Sequence, residues 1–216
     1  MSEKMENYEE LLIEILKKIA QESQTTDLSI PVGISNRHCH LSREDVESLF
    51  GKGYDLTKLK DLSQPGQYAC KETIMICGPK GMIENVRILG PERKQTQVEV
   101  LQSDCFKLGI KAPLRLSGDL DHSGDVTMIG PKGSKMLVSG VVVAKRHIHM
   151  PSKDAKRFDV VDGENVSIAF DGARGGVLNE VIVRVDSNAG LECHIDVEEA
   201  NALGVSSNTN IVIQKN

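Results

Sequence analysis

The stretch Arg37-His38-Cys39-His40-Leu41 returns later in the chain as Arg146-His147-Ile148-His149-Met150. The chain has six histidines, and these two stretches hold four of them. Each time a strand-like run precedes the motif and a short helix-like segment follows it, with Asp45 matching Asp154. The repeated Arg-His-x-His motif therefore indicates a short internal duplication and predicts two related sites.

The spacing within the motif favours metal binding. Residues i and i+2 of a β-strand lie on the same face, so each His-x-His pair presents two imidazoles side by side. Imidazole is the commonest metal ligand near neutral pH, and zinc prefers nitrogen and sulfur ligands. We expect the intervening Cys39 and Ile148 to face the other way, with Cys39 buried and not a ligand. One such pair could be a surface feature that binds nothing, but its repetition favours two metal sites.

Size and composition limit the possible classes of protein. The 216 residues allow one large or two small domains, and a core with no Trp and few other aromatic residues must consist mostly of Val, Ile and Leu, which suits strands. The net charge of −5 argues against a nucleic-acid binder. The sequence has no apolar run long enough for a membrane span and no signal peptide. Its five cysteines lack Cys-x-x-Cys spacing, so we expect reduced thiols in a cytoplasmic protein.

Short strand-like runs separated by Gly, Asp and Pro follow Leu28. This spacing is typical of β-barrels and sandwiches, and it disfavours alternating β-α-β winding. Capped short helices are predicted at 43–50, after Ser42, and at 197–203, after Asp196. The predicted strands are 28–35, 73–77, 82–88, 96–101, 125–129, 136–145, 165–170, 177–186, 191–195 and 210–214.

Residues 5–22 form the clearest helical pattern. Apolar residues recur every three or four positions along one face, and a polar linker follows the segment. This helix either packs on its own domain or serves as a docking or targeting arm.

Four further residues are candidates for the site. His194 lies in a strand-like stretch before a capped helix and could complete a three-histidine set, although a lone histidine is more often structural. Glu99 is either a ligand or an ordinary exposed strand residue. Arg93 follows a tight turn, and its guanidinium suits a bidentate grip on phosphate. His122 lies in a polar turn, where we expect it to be solvated.

These segments together resemble the PduL-type phosphotransacylases, also called phosphate propanoyltransferases. The matching segments are RHCHL, GPERKQTQVEV, RLSGD, GPKG, AKRHIHM and GLECHID. The resemblance implies a mainly β fold with two β-barrel domains capped by short helices, plus an N-terminal amphipathic helix. Residues 1–27 would form the helix and linker, 28–36 plus 145–216 the first barrel, and 37–144 the second. Both motifs would lie where the chain crosses between barrels.

The resemblance also implies two zinc sites, each built on one His-x-His pair. Their ligands would be His38, His40 and Glu99 in one site, and His147, His149 and His194 in the other. Arg93 matches a residue that binds phosphate and takes part in catalysis. Ser117 is either a hydrogen-bonding helper or an ordinary turn residue.

The implied reaction converts a short-chain acyl-CoA and phosphate into an acyl phosphate and CoA, in either direction. Two Zn²⁺ ions per chain would be the cofactors, CoA a substrate, and the chain a homo-oligomer. Family members from bacterial microcompartments, including those of propanediol degradation, carry an N-terminal encapsulation helix. Residues 5–22 resemble that helix and would contact shell or cargo proteins, placing the enzyme in the cytoplasm inside a microcompartment.

Two alternatives remain open on the residues alone. One is a dinuclear metallohydrolase acting on thioesters, although the chain lacks the His-x-His-x-Asp-His run of one large class. The other is a non-catalytic, zinc-stabilised scaffold protein.

Overall fold

The computed structural model describes residues 13–17 and 28–214, which form short helices and many strands. Residues 13–17 are helical and are called α1. The other helices are α2 (Arg43–Phe50), α3 (Gln102–Leu108), α4 (Ser152–Phe158) and α5 (Val197–Leu203). The strands are β1 (Ser29–Ser35), β2 (His38–His40), β3 (Lys58–Asp61), β4 (Tyr68–Cys77), β5 (Met82–Gly90), β6 (Gln97–Val100), β7 (Leu114–Arg115), β8 (Gly124–Ile129), β9 (Ser134–Ala144), β10 (His147–Met150), β11 (Asn165–Phe170), β12 (Gly176–Val185), β13 (Glu192–Asp196) and β14 (Asn210–Gln214).

The strands close into two barrels. In the first barrel the order is β1-β13-β10-β12-β11-β14, and β14 pairs with β1 to complete the ring. In the second barrel the order is β4-β5-β2-β6-β9-β8, and β8 closes the ring by pairing with both β9 and β4. Strands β3 and β7 extend this sheet beside β4 and β9. The prediction of a mainly β fold with two barrels and short helices is confirmed.

The chain crosses between the barrels at both Arg-His-x-His motifs. Strand β1 belongs to the first barrel and β2 to the second, whereas β9 belongs to the second and β10 to the first. Each barrel has its own apolar core, rich in Val, Ile and Leu. Cys39 and Ile148 are fully buried in these two cores, so the prediction that they face away from the histidines is confirmed.

Local sequence explains the short helices that were predicted. The Ser42 hydroxyl accepts the backbone N–H of Asp45 at the start of α2, and the Asp196 carboxylate accepts those of Glu198 and Glu199 at the start of α5. Both contacts satisfy N–H groups that a helix start leaves unpaired.

Helix α3 and strands β3 and β7 were not predicted, and β2 and β10, which the spacing of the motifs implied, were not among the predicted strand ranges. Helix α3 follows Leu101, whose side chain cannot cap a helix, and β3 is exposed throughout, so no alternation of apolar and polar residues marks it. Strand β7 has only two residues. Strand β4 also begins at Tyr68, well before the predicted start at 73, because register shifts between β4 and β5 interrupt the alternation.

Most of the predicted helix at 5–22 lies outside the described residues. Within it, residues 13–17 are helical and exposed, including the side chains of Ile13, Ile15 and Leu16. In the part of the chain that the structure describes, no helix has the length and apolar character needed to cross a membrane.

Candidate active site

Strands β2 and β6 build the first cluster of candidate ligands. They pair antiparallel, with His38 opposite Glu99 and His40 opposite Gln97. Because opposite residues on one sheet face lie close together, the two histidines and the glutamate converge. We call His38, His40 and Glu99 the carboxylate set; its ligand atoms lie within 4.8 Å of one another.

Strands β10 and β13 repeat this arrangement in the first barrel. They also pair antiparallel, with His147 opposite His194 and His149 opposite Glu192. We call His147, His149 and His194 the three-histidine set; its ligand atoms likewise lie within 4.8 Å of one another. The structure therefore brings all six predicted ligand residues together in the two predicted groups.

The spacing and chemistry of these atoms fit a zinc ion in each set. Nε2 of His38 lies 3.4 Å from Oε2 of Glu99, and Nε2 of His147 lies 3.1 Å from Nε2 of His149. Two ligands of one tetrahedral zinc are about 3.3 Å apart when each lies about 2.0–2.1 Å from the ion. Nitrogen and carboxylate oxygen are both ordinary zinc ligands, so the residues present fit the implied metal.

Backbone carbonyls orient the first histidine of each motif in the same way. Nδ1 of His38 donates to the carbonyl of Asn36 at 2.8 Å, and Nδ1 of His147 donates to that of Lys145 at 2.9 Å. Because a carbonyl only accepts, Nδ1 must carry the proton. The lone pair of each neutral ring is then on Nε2. A hydrogen bond from the other ring nitrogen to a carbonyl is the usual way in which a metal-binding histidine is oriented.

Burial keeps most of these imidazoles neutral. It lowers the pKa of His40 to about 3, of His147 to about 4 and of His149 to about 3, and neighbouring imidazoles add to each shift. A neutral imidazole is the form that binds metal. At neutral pH these side chains therefore need lose no proton before they act as ligands.

Glu99 adds a negative charge to the carboxylate set, whereas the three-histidine set contains no carboxylate. Burial alone raises the pKa of Glu99, but the imidazoles of His38 and His40 outweigh it and hold that pKa well below its usual range. For His38, burial lowers the pKa, and the nearby Glu99 more than offsets this, so the pKa is raised. Glu99 is therefore ionised at neutral pH.

Both sets face one cleft between the barrels, with a volume of about 1020 Å³. Basic side chains from both barrels line it, including Arg37, Arg93, Arg146 and Arg184. Basic side chains outnumber the acidic ones in this lining, and an excess of positive charge in a cleft favours anionic ligands even though the whole chain is acidic. The site is thus a basic cleft that holds two sets of metal-binding side chains.

Known proteins are similar to this sequence over most of its length. Residues 31–206 match the family model described as phosphate propanoyltransferase. A phosphate propanoyltransferase of Rhodobacter capsulatus is 49% identical over 205 residues, which cover 95% of each chain. One from Thermotoga maritima is 53% identical over 174 residues, covering 80% of this chain and 83% of the relative. One from Clostridioides difficile is 48% identical over 206 residues, covering 95% of this chain and 96% of the relative.

The chain belongs to the phosphate propanoyltransferase family. Its members are transferases, so this chain is a phosphate acyltransferase, and the family implies acyl-CoA or CoA and phosphate as its substrates. The scaffold alternative is therefore wrong, because that protein would have no catalytic activity. The family resemblance drawn from the sequence motifs is confirmed.

In this phosphate propanoyltransferase fold, Arg93 lies beside the carboxylate set. Its backbone N–H donates to the carbonyl of Leu41 at 2.9 Å, which ties the turn after β5 to the first motif. Its Nη1 donates to the Ser117 hydroxyl at 3.0 Å. Burial lowers the pKa of Arg93, and the nearby Arg184 adds to that shift, but the guanidinium is still charged at neutral pH. Ser117 therefore makes a specific contact in the cleft.

Gln97 is a residue of this region that sequence reasoning missed as a participant. Its Nε2 donates to Oε1 of Glu99 at 2.6 Å and to the Ser117 hydroxyl at 2.9 Å, and its Oε1 accepts the backbone N–H of Gly118 at 2.8 Å. The signal was available, because alternation places Gln97 and Glu99 on the same face of β6. Gln97 thus connects the carboxylate set to the contact of Arg93.

The remaining predicted residues lie away from the cleft. His122 is exposed in a turn, as predicted. None of the five cysteines lines the cleft, and burial raises the pKa of Cys70 to about 11 and of Cys193 to about 12. The thiols of Cys70 and Cys193 are therefore protonated at neutral pH and are poor nucleophiles.

Proposed function

We propose that the enzyme interconverts a short-chain acyl-CoA plus phosphate with an acyl phosphate plus CoA in the cleft between the barrels. The carboxylate set would hold one Zn²⁺ and the three-histidine set a second. The observation that carries this proposal is the convergence of two ligand sets and Arg93 on one basic cleft. The volume of the cleft is at the upper end of the range of ligand pockets in proteins.

When bound, the ions supply Lewis acidity toward oxygen and affinity for thiolate sulfur. The protein itself supplies charge and position. The Arg93 guanidinium offers several N–H donors in a rigid fork that matches phosphate, and Ser117 limits its rotation. In this position Arg93 would bind the phosphate substrate and stabilise negative charge that develops as the acyl group moves.

Transfer in this proposal is direct. An oxygen of phosphate forms a bond to the acyl carbon, the bond from that carbon to sulfur breaks, and CoA leaves as the thiolate. No covalent acyl-enzyme is needed, which agrees with the position of the cysteines outside the cleft. Holding both substrates in one site converts a bimolecular encounter into an oriented reaction.

The alternative to test is a thioester hydrolase, which could share every ligand and would differ in its nucleophile. We expect negligible CoA release from acyl-CoA in phosphate-free buffer. Phosphate should release CoA up to an equilibrium. Arsenate, which has the same shape and charge, should drive release to completion because acyl arsenates hydrolyse spontaneously.

The measurement is thiol release with a series of short-chain acyl-CoA substrates. A His122→Ala variant, changed at an exposed histidine outside the cleft, serves as the control and should behave as wild type. Steady CoA release without either oxyanion would assign the protein to the hydrolases instead.

We further propose that the enzyme is a homo-oligomer and works inside a bacterial microcompartment, with residues 5–22 binding shell or cargo proteins. The apolar side chains of residues 13, 15 and 16 are exposed, which suits a docking helix. Deleting residues 1–27 should leave kcat near wild type but abolish co-sedimentation with purified compartments. A truncated enzyme that still co-sediments, or that unfolds, would contradict this role.

A further inference from the structure

Glu192 contacts the three-histidine set and has no part in the chemistry described so far. Its Oε2 lies 2.5 Å from Nε2 of His194. The same oxygen accepts hydrogen bonds from the Ser63 hydroxyl and from Nε2 of Gln64, the latter at 3.4 Å. An ionised carboxylate only accepts, so the nitrogen that faces it must be an N–H donor. Nε2 of His194 therefore carries a proton.

The second barrel holds Glu192 in place. Ser63 and Gln64 lie between β3 and β4, whereas Glu192 begins β13 of the first barrel. Nε2 of Gln64 donates to the carbonyl of Gly190 at 3.2 Å, and Oε1 of Gln64 accepts the N–H of Gly190 at 3.2 Å. This pair of bonds fixes the orientation of the amide, so Gln64 presents a donor to the carboxylate.

Gly33 of β1 leaves the space that this arrangement needs. A Cβ at position 33 would lie 2.8 Å from Cδ of Glu192 and 3.0 Å from Cδ2 of His194. A methyl group there would have to displace the carboxylate or the ring. The close packing therefore restricts the movement of both side chains.

The carboxylate set contains a counterpart of this contact. Gln97 stands opposite His40 as Glu192 stands opposite His149, and each lies two residues before the third ligand on its strand. Gln97 donates to the acceptor Glu99 at 2.6 Å. Glu192 accepts from the donor His194. Glu99 and His194 thus each have a hydrogen-bonding partner two residues earlier on the same strand. The partner is a donor for Glu99 and an acceptor for His194.

We propose that Glu192 is a positioning residue for the three-histidine set. It holds the proton of His194 on Nε2 and leaves the lone pair on Nδ1, which is the atom that binds the metal. This inference rests on the proposed zinc sites. A carboxylate that accepts the second N–H of a metal-binding histidine fixes its tautomer and orientation, and its loss typically weakens metal binding about 10–100-fold.

The test measures zinc affinity by competition with a chromophoric chelator, without an activity assay. In the His38→Ala background the metal site that remains is the three-histidine set, and Glu192→Ala should weaken zinc binding there about 10–100-fold. Glu192→Gln keeps an acceptor oxygen and should lose less. In the His147→Ala background, Glu192→Ala should leave zinc affinity unchanged. Glu180→Gln, at an exposed glutamate of the first barrel, is the control.

Two further measurements test whether weaker zinc binding in Glu192→Ala comes from misfolding of the variant, or from loss of a direct bond between Glu192 and the ion. Gly33→Ala keeps Glu192 but displaces it, so it should weaken zinc binding in the His38→Ala background as well. A structure of the zinc-loaded enzyme should show Nδ1 of His194 bound to the ion and Glu192 on Nε2. Unchanged affinity in Glu192→Ala, or a Glu192 oxygen bound to zinc, would overturn the proposal. A wild-type protein that binds no zinc would overturn the proposed zinc sites as well.

Discussion

The carboxylate set and the three-histidine set lie on equivalent pairs of strands, although little more than the motif is repeated in the sequence. In each barrel a His-x-His strand pairs antiparallel with the strand that supplies the third ligand. The arginine that begins each motif also has an equivalent partner: Nε of Arg37 lies 2.7 Å from Asp104, and Nε of Arg146 lies 2.8 Å from Glu199.

The two acidic partners also occupy the same place in their helices. Asp104 is the third residue of α3 and Glu199 the third residue of α5, and each carboxylate accepts the backbone N–H of the residue before its helix at 3.0 Å. The duplication therefore preserves backbone pairing and one ion pair, even where the surrounding side chains have changed.

The halves differ in the third ligand, and this difference sets their charge. Glu99 gives the carboxylate set a negative charge, and its effect raises the pKa of His38. The equivalent His147 has its pKa lowered to about 4, by burial and by His194. A divalent ion in the three-histidine set would keep its full charge and be the stronger Lewis acid. The two proposed metal ions would therefore lie on similar backbone arrangements but in different electrostatic surroundings.

Removing one histidine from each half should produce the largest effects. We expect His38→Ala and His147→Ala each to bind about one zinc ion per chain in place of about two, because each breaks a different three-ligand site. Removing a single donor to developing charge costs about 10²–10³ in kcat, and loss of a metal ion should cost at least as much. Elemental analysis and phosphate-dependent thiol release are the measurements. Wild-type metal content in either variant would remove that set from the model of two metal sites.

Sequence alone identified the parts of this site that depend on local pattern. The two motifs, His194 and the faces of Cys39 and Ile148 follow from strand alternation and from the resemblance. The alternation of β6 places Gln97 on the same face as Glu99, although Gln97 was not predicted to take part in the site. The hydrogen bonds that hold Glu99 and His194 in place could not be predicted as easily, because they depend on the pairing of strands that are distant in sequence.

The contacts of Glu192 show this limit. Its partners Ser63 and Gln64 are more than a hundred residues away in the chain, and only closure of both barrels brings them together. Helix α3 was missed because the residue before it, Leu101, is not a capping residue. The carboxylate that accepts the Leu101 N–H comes from Asp104 inside the helix, and its ion-pair partner Arg37 is distant in sequence.

Arg93 should show the next largest effect, and it separates phosphate binding from metal binding. Arg93→Ala should lower kcat about 10²–10³-fold, because a charged donor to the reacting phosphate is lost. Arg93→Lys keeps the charge but loses the fork, so it should lower kcat less. Neither variant should alter zinc content, because Arg93 is not a member of either set.

Steady-state kinetics and elemental analysis distinguish the possibilities for Arg93. Arg157→Ala, at an arginine of α4 paired with Asp154 and outside the cleft, is the matched control. Wild-type turnover in Arg93→Ala would refute the role, and loss of zinc would instead indicate that Arg93 supports the carboxylate set.

The two arginine–carboxylate pairs should show the smallest effect, and they test how equal the halves are. The Asp104 side chain is 5% exposed and that of Glu199 is 21% exposed. Removing the partner of a buried carboxylate costs more than removing that of an exposed one, because less water remains to replace it. We therefore expect Arg37→Met to lower the free energy of unfolding by about 2 kcal/mol and Arg146→Met by about 1 kcal/mol.

Urea unfolding followed by circular dichroism measures both losses. Met keeps much of the apolar stem of each arginine, so the substitution removes the charge together with the hydrogen bonds of the guanidinium, including that of Arg146 to the carbonyl of Asn179. Adding Asp104→Asn to Arg37→Met should recover part of the loss, because no unpaired carboxylate then remains. A larger loss in Arg146→Met than in Arg37→Met would mean that burial of the acid does not decide the strength of the pair. The two arginine–carboxylate pairs would then have the same geometry but would be stabilised by different interactions.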